Sequence, residues 1–493
     1  MYAVTILALL PVSCDFLPDF NPKNSENNTE QKGLPDEYYD LEVLDTNYFY
    51  AQDMANRKYY KVQAEIKATG DKCIIWAEKG SGITEERAKT IAGIYDDEIR
   101  KKIIDAFGLK NFYNATAKKQ FDDILDYANW LVGGNNNKLT ILLLDIRDNY
   151  KESGKDPTYV AGYFFSGNFW EKGPLRDSRG NTHYSNSKDM IYIDTYPGLE
   201  KKPDQTYATF AHELQHLINY TTARHFGKRQ MDTWIDEGLS SQAEHIYLGT
   251  HPKDRCEWFR DDKNKTISQG NNFFVWDNYD AEPMAILDDY ATVYLFFRWL
   301  YLQAGNELKT DIFRNMEISG FSDYRIVTEY AKQINPDWEN WEVLLRAWFA
   351  ANYFPKRSYG YTGDTYLQND IVKVKPIAGQ TITLYPGEGV YSLIKTSYIP
   401  KSPGSNIRYA GLLSNSLSLS SPHTGEALLT FNISTGDTTK TETGDLTGVA
   451  PPSPRTAGTG TPESTGPYVI DARDILGRNW DLPLYETSSS GKR

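Results

Sequence analysis

The sequence predicts an α+β fold in two main parts, followed by a small β domain at the carboxyl end. Short strand-like runs alternate with helical patterns over residues 46–200, and helical periodicity dominates residues 201–356. After Pro355, short alternating runs separated by Gly and Pro return, which is typical of a β domain over residues 357–493. The first two parts together predict a mixed sheet packed with helices.

Composition excludes several classes of protein. The chain has 493 residues, 40% of them hydrophobic and 14% aromatic, which is enough for a sizeable core in more than one domain. Its net charge of −13 lacks the basic footprint of a nucleic-acid binder, so no nucleic-acid partner is expected. Three cysteines are too few for a disulfide scaffold, and no stretch after the first dozen residues is long and apolar enough to span a bilayer.

The first 14 residues have the pattern of an export signal. An apolar run, Ala3–Val12, precedes Ser13 and Cys14, which resembles a bacterial lipobox, although Pro11 stands where Leu is usual and no basic residue precedes the run. A lipobox implies lipidation of Cys14 and a membrane-anchored protein of the bacterial cell envelope. An ordinary cleaved signal and secretion are the alternative. Residues 15–45 are polar and rich in Pro and Asn, which predicts a flexible tether.

Strand patterns come first along the chain body. Thr84 is a helix N-cap ahead of two Glu residues, and that helix is predicted to run towards Gly108. The last predicted strand is a candidate edge on which an extended peptide could add as a further strand, or else an ordinary core strand. The predicted strands are Tyr60–Ile66, Cys73–Ala77, Leu139–Ile146, Tyr159–Phe165 and Met190–Asp194.

Aromatic residues mark the helices of the second part. They recur at three- to four-residue spacing over residues 287–301, and residues 338–354 form another aromatic-rich helix. Residues 435–467 are a Thr/Gly/Pro/Ser stretch of low complexity, which predicts a loop or linker. Cys73 and Cys256 either pair with each other or remain buried thiols, and the sequence leaves both possibilities open.

The most informative segment is the string His212-Glu213-Leu214-Gln215-His216. Two histidines four residues apart lie on one face of a helix, so both imidazoles can reach one metal ion. Glu213 projects beside that face, where its carboxylate can take a proton from a metal-activated water. An apolar stripe on the other side of the segment supports the helix.

A catalytic zinc site needs a third protein ligand and an open fourth position. Glu237 lies 21 residues past His216, since 237 − 216 = 21, within the string Trp-Ile-Asp-Glu-Gly-Leu-Ser at 234–240. That string is predicted to be helical. A helix–turn–helix of this length can return Glu237 to the ion, which makes it the candidate third ligand.

The two strings together resemble the gluzincin metallopeptidases, and the surrounding sequence most resembles the hyicolysin-type family of secreted bacterial neutral metallopeptidases. The compact similarity covers residues 191–246, with looser likeness over 73–354 and none in the carboxyl-terminal part. The resemblance implies a zincin-like metallopeptidase domain with one catalytic Zn²⁺ on His212, His216 and Glu237. It also implies hydrolysis of protein or peptide bonds with Glu213 as general base.

Departures from the related families refine these expectations. The aminopeptidase branch has a Gly-x-Met-Glu-Asn motif, which is missing here, so an endopeptidase is favoured over a zinc aminopeptidase. The thermolysin branch has Asp four residues after the ligand Glu, where this chain has Ser241. Ser241 and Glu244 are therefore the candidates for supporting the histidines, and Glu244 is alternatively a solvated helix charge. Calcium binds some gluzincins, but no motif supports it here.

Tyr290 is the candidate donor to the oxyanion that develops during hydrolysis. It lies 53 residues after Glu237, since 290 − 237 = 53, and begins an aromatic helix, as in the aminopeptidase-like relatives. The alternative for Tyr290 is an ordinary core residue. For the whole chain, the alternative is a surface-anchored binding or adhesion lipoprotein with a structural or vestigial zinc site.

Overall fold

The computed structural model describes about three fifths of the chain. The described residues are 5–6, 39, 41, 47–109, 138–148, 150, 159–169, 172–176, 181–262, 273–274, 286–374, 376–378, 381–393, 406–412, 427–435 and 441–443. The predicted lipidation site Cys14 and almost all of the predicted signal, tether and low-complexity stretch lie outside them. No helix in the described part is long and apolar enough to cross a membrane.

Two compact units interleave along the chain. The first comprises Met1–Met231, Leu239–Asp254 and Asp311–Ser322, and the second comprises Asp232–Gly238, Arg255–Thr310 and Asp323–Arg493. Both contain helices and strands. The predicted mixture of α and β structure is confirmed at that level.

A six-stranded mixed sheet forms the core of the first unit. Its order is β2-β3-β4-β5-β10-β7, in which β4, β5 and β10 run parallel while β2, β3 and β7 pair antiparallel with their neighbours. Strand β1 pairs with β6, and β8 pairs with β9. The strands are β1 Thr5–Ile6, β2 Tyr48–Asp53, β3 Lys58–Thr69, β4 Cys73–Glu78, β5 Leu139–Leu144, β6 Tyr159–Val160, β7 Gly162–Phe164, β8 Gly173–Arg176, β9 Thr182–Ser185 and β10 Met190–Asp194.

Burial of the strands follows their place in the sheet. Every residue of β5 and β10 is buried, as expected for central parallel strands covered on both faces. Strand β10 lies between β5 and β7, so its expected role as a docking edge is wrong. The apolar pattern of β10 reports burial on both faces and carries no information about its neighbours.

Five α-helices of the described residues accompany this sheet. Thr84 caps the first helix by accepting a hydrogen bond from the backbone N–H of Arg87 at 3.2 Å, as the sequence predicted. A short π-helical turn, Tyr95–Ile99, joins that helix to the next. The helices are α1 Glu85–Ile94, α2 Arg100–Phe107, α3 Pro203–His225, α4 Thr233–Leu248 and α8 Ile312–Glu317, of which α4 begins in the second unit.

Helix α3 packs directly onto the sheet. It contacts β7, β10, α2 and α8, and it begins with Pro203 in its first turn, where a missing N–H has no cost. Gly162 of β7 permits the close approach, because a Cβ there would lie 2.8 Å from the Thr209 side chain. Thr209 is one turn ahead of His212, so this contact sets the height of the histidines above the sheet.

The second unit combines aromatic helices with short strands. Its helices are α5 Lys253–Asp261, α6 Ile286–Gln303, α7 Asn306–Lys309, α9 Arg325–Ile334 and α10 Trp341–Tyr353. Its strands are β11 Ile377–Ala378, β12 Thr383–Leu384, β13 Gly389–Leu393, β14 Ile407–Leu412, β15 Ala427–Asn432 and β16 Thr441–Glu442, with one sheet in the order β11-β13-β15-β14. The Tyr391 hydroxyl of β13 donates to the Phe349 carbonyl of α10 at 2.9 Å, which ties this sheet to the helices.

Cys73 and Cys256 are both buried and form no disulfide with each other. Cys73 begins β4 in the first unit, and Cys256 lies on α5 in the second. Of the two possibilities left open by the sequence, the structure shows two separate thiols.

Buried amide and phenol groups hold the curl of the six-stranded sheet. Asn186, just after β9, accepts from the Tyr50 N–H at 2.8 Å and donates to the Tyr50 carbonyl at 2.9 Å. Its side chain also contacts the Tyr192 hydroxyl at 2.7 Å. These bonds join β2 to β10, although three strands separate the two in the sheet order.

We expect Asn186→Ala to lower the free energy of unfolding by about 2–4 kcal/mol, because it removes two buried hydrogen bonds to the Tyr50 backbone and one to the Tyr192 hydroxyl. Urea denaturation followed by circular dichroism measures this loss. The control is Thr84→Ala, which removes one exposed helix cap and should cost about 1 kcal/mol. An Asn186 variant no less stable than the cap variant contradicts the role of this network.

Candidate metal centre

Helix α3 carries the three candidate site residues of the His-Glu-x-x-His string. His212, Glu213 and His216 are all buried. The two imidazole ring centres lie 4.7 Å apart, as four-residue spacing on one helical face requires. Their burial in a helix that contacts the sheet leaves these side chains little freedom to move.

Glu237 comes from α4, one continuous helix that runs on into the first unit. One ligand atom each from His212, His216 and Glu237 form a group in which all the atoms lie within 4.8 Å of one another. Glu237 is fully buried. Zinc–ligand bonds are about 2.0–2.2 Å long, so one ion among these atoms can be reached by all three with small adjustments.

The Nδ1 atoms of both histidines contact α4. His212 Nδ1 lies 2.7 Å from Glu244 Oε1, and His216 Nδ1 lies 3.0 Å from Ser240 Oγ. With Glu244 ionised, its carboxylate only accepts hydrogen bonds, so His212 Nδ1 then carries the hydrogen and Nε2 keeps the lone pair that a metal needs. Such a partner also raises the basicity of an imidazole ligand.

Glu237, Ser240 and Glu244 occupy one stripe of α4. Their spacing of three and then four residues places them on successive turns of the same helical face. Sequence reasoning named Ser241 in this position and missed Ser240. The Ser241 hydroxyl is fully buried and forms no hydrogen bond to any described residue, whereas Ser240 contacts His216. Offsets of three and of four residues from Glu237 both fall on one helical face, so spacing alone could not choose between the two serines.

Gly238 places the start of α4 against α6 within the second unit. A Cβ at this position would lie 2.2 Å from the Phe297 ring, so the helices approach as closely as a glycine allows. Trp234, one turn earlier, packs edge-on against Phe273 with ring centres 5.2 Å apart. These contacts hold the turn that carries Glu237.

Tyr290 lies in the first turns of α6 and is fully buried. The guanidinium of Arg255 lies 4.5 Å from its ring centre, a cation–π contact within the second unit. Neither observation tests the predicted role of Tyr290 as oxyanion donor, which stays a prediction.

The chemistry of the donor set fits zinc. Two imidazole nitrogens and one carboxylate oxygen are the ligands of one common class of catalytic zinc site, which leaves a fourth position open. In the described part of the chain this is the one group of three metal-ligating side chains. Calcium prefers six to eight oxygen ligands, which this group does not offer.

Comparison with known proteins points in the same direction. No protein-family model matches the chain. It is 24% identical over 380 residues to the neutral metalloprotease ShpI of Staphylococcus hyicus, and the alignment covers 74% of this chain and 76% of that protein. The similarity supports a metallopeptidase, and so a hydrolase, at the level of the family.

We expect the purified chain to bind about one equivalent of zinc, and His212→Ala, His216→Ala or Glu237→Ala each to lose most of it, because two ligands rarely hold the ion. Elemental analysis after dialysis measures the content. His225→Ala, at the end of the same helix and outside the group, is the control and should keep its zinc. Full zinc content in any of the three ligand variants contradicts the site.

Proposed function

We propose that this protein is a zinc endopeptidase of the gluzincin type, like the hyicolysin-type neutral metallopeptidases. The observation that carries the proposal is the buried group of His212, His216 and Glu237 within 4.8 Å. Glu213 lies buried in the same turn of α3. The similarity to a neutral metalloprotease supports protein or peptide substrates for this chain as well.

Each residue has a role in the proposed reaction. Zinc held by His212, His216 and Glu237 would supply Lewis acidity for the attacking water and the scissile carbonyl. Glu213 takes the proton from the water at its carboxylate and passes it to the departing amine. Glu244 and Ser240 orient the two imidazoles through their Nδ1 atoms. Tyr290 donates its hydroxyl hydrogen to the developing oxyanion.

The proposal extends to the type of cleavage, the location of the protein and its carboxyl-terminal part. The missing Gly-x-Met-Glu-Asn motif favours cleavage within chains over removal of single amino-terminal residues. Export and a lipid anchor on Cys14 would place the enzyme at the bacterial cell envelope, held off the membrane by residues 15–45. Residues 357–493 are proposed to form a small carboxyl-terminal β domain.

We expect Glu213→Gln to lower kcat by about 10²–10⁴-fold, because the amide cannot accept the proton. Its zinc content should match that of the wild type, since Glu213 is not a ligand. Cleavage of a quenched casein substrate by the zinc-loaded proteins measures kcat. Turnover retained in Glu213→Gln would sink the mechanism. Zinc-loaded wild type that cleaves nothing would instead favour the binding lipoprotein.

Tyr290→Phe should lower kcat by about 10²–10³-fold, because it removes one donor to the oxyanion. Tyr294→Phe is the matched control, since Tyr294 lies one turn further along α6 and is also fully buried. The same casein assay compares the two variants, with zinc content and melting temperature as checks. Equal kcat values in the two variants would reject Tyr290 as the donor.

A further inference from the structure

Gln215, the fourth residue of the His-Glu-x-x-His string, lies at the centre of a buried polar cluster in the first unit. Its Oε1 accepts from Ser240 Oγ at 2.6 Å and from Asn219 Nδ2 at 3.0 Å. Its Nε2 donates to Glu317 Oε1 at 2.6 Å and to Asn219 Oδ1 at 2.8 Å. Gln215, Ser240 and Glu317 are fully buried. Ser240 also contacts His216 Nδ1 at 3.0 Å.

The carboxylate of Glu317 determines which way the Gln215 amide points. The Lys228 ammonium donates to the backbone carbonyls of Glu317 and Ser319 at 2.7 and 2.9 Å. Burial lowers the pKa of Lys228, and its attraction to the Glu317 carboxylate opposes that shift, which favours the ionised form of both groups. An ionised carboxylate only accepts, so the amide group facing Glu317 is the NH₂. The amide oxygen therefore faces Ser240. This resolves the usual ambiguity between the two ends of a glutamine amide.

The orientation of the Gln215 amide determines where the Ser240 hydroxyl hydrogen points, and therefore which nitrogen of His216 carries a hydrogen. A hydroxyl has one hydrogen to donate, and the Gln215 oxygen only accepts, so the Ser240 hydrogen points to Gln215. Towards His216 the hydroxyl can then only accept. His216 Nδ1 consequently carries a hydrogen, and its Nε2 keeps the lone pair that a metal needs. His212 reaches the same tautomer directly through Glu244.

We infer that Glu317, Gln215 and Ser240 form a positioning chain that fixes His216 as the Nδ1–H tautomer, with Nε2 as the ligand atom. The inference rests on the zinc site of the proposed function. It gives Gln215, a variable position of the general motif, a defined task in this protein. None of the three residues needs to touch the substrate or the ion.

Zinc affinity of the full chain tests the positioning chain first. Ser240→Ala and Gln215→Leu should each raise the Kd for zinc by about 10–100-fold, the usual effect of losing a partner of a ligating histidine. The matched control is Ser241→Ala, which removes an equally buried hydroxyl from the next residue and should change the Kd by less than about twofold. Competition with a chromogenic chelator gives the values. Wild-type affinity in Ser240→Ala overturns the inference.

Exchanging Glu and Gln between positions 215 and 317 tests the direction of the hydrogen bonds without changing the packing, because the two side chains have nearly the same shape. Gln215→Glu sets a carboxylate against Glu317 and should weaken zinc binding by at least about tenfold. In the double variant Gln215→Glu with Glu317→Gln, the carboxylate at position 215 accepts from Ser240 Oγ and also from the amide NH₂ at position 317. We expect recovery to within about threefold of the wild-type Kd. A double variant as weak as the single one overturns the assigned polarity.

The tautomer itself can be read by nuclear magnetic resonance on isotope-labelled histidine in the metal-free full chain. We expect a hydrogen on His216 Nδ1 in the wild type and a mixture of tautomers in Ser240→Ala, with His216→Asn used to identify the signal. A hydrogen on Nε2 in the wild type overturns the inference. The readout does not depend on peptide cleavage, so an inactive wild type with the expected tautomer would refute the peptidase and leave the positioning chain supported.

Discussion

The site depends on the pairing of buried imidazoles with one stripe of α4. Burying a histidine or a carboxylate without hydrogen-bond partners costs several kcal/mol, so these groups are tolerated only where they satisfy one another. Glu244 and Ser240 meet the Nδ1 atoms of His212 and His216, and Glu237 comes from the same helix. The hydrogen bonds that satisfy the two histidines therefore also hold α3 against the body of α4.

Glycines at two positions allow the helices to reach this arrangement. Gly162 lets α3 settle on β7 within the first unit, and Gly238 lets the start of α4 settle on Phe297 within the second. At either place a methyl group would meet a neighbouring side chain at 2.8 Å or less, closer than real Cβ contacts. Close packing at these points transmits the geometry of the sheet and of the aromatic core to the ligand atoms.

Sequence reasoning reached those parts of the site that follow from local spacing. The histidines and Glu213 share one helix, and the group with Glu237 forms across a short connection, so spacing alone could propose it. Ser240 lies in that stripe and Ser241 is the next residue, and only the three-dimensional structure shows which of the two hydroxyls contacts His216. Glu317 lies 102 residues from Gln215, and no pattern in the sequence predicts that contact. Strand order was equally hidden, since β10 has the same apolar pattern at an edge or a centre.

The two buried cysteines have a consequence for how the opening of the molecule can be observed. Cys73 belongs to the first compact unit and Cys256 to the second, and both are thiols with no exposed surface. Burial also raises the pKa of the Cys73 thiol, which suppresses its reactive thiolate while the fold is closed. The rate at which a thiol reagent labels each cysteine therefore reports the local opening of the unit that contains it. Labelling of the unmodified chain can thus measure the stability of the two units separately.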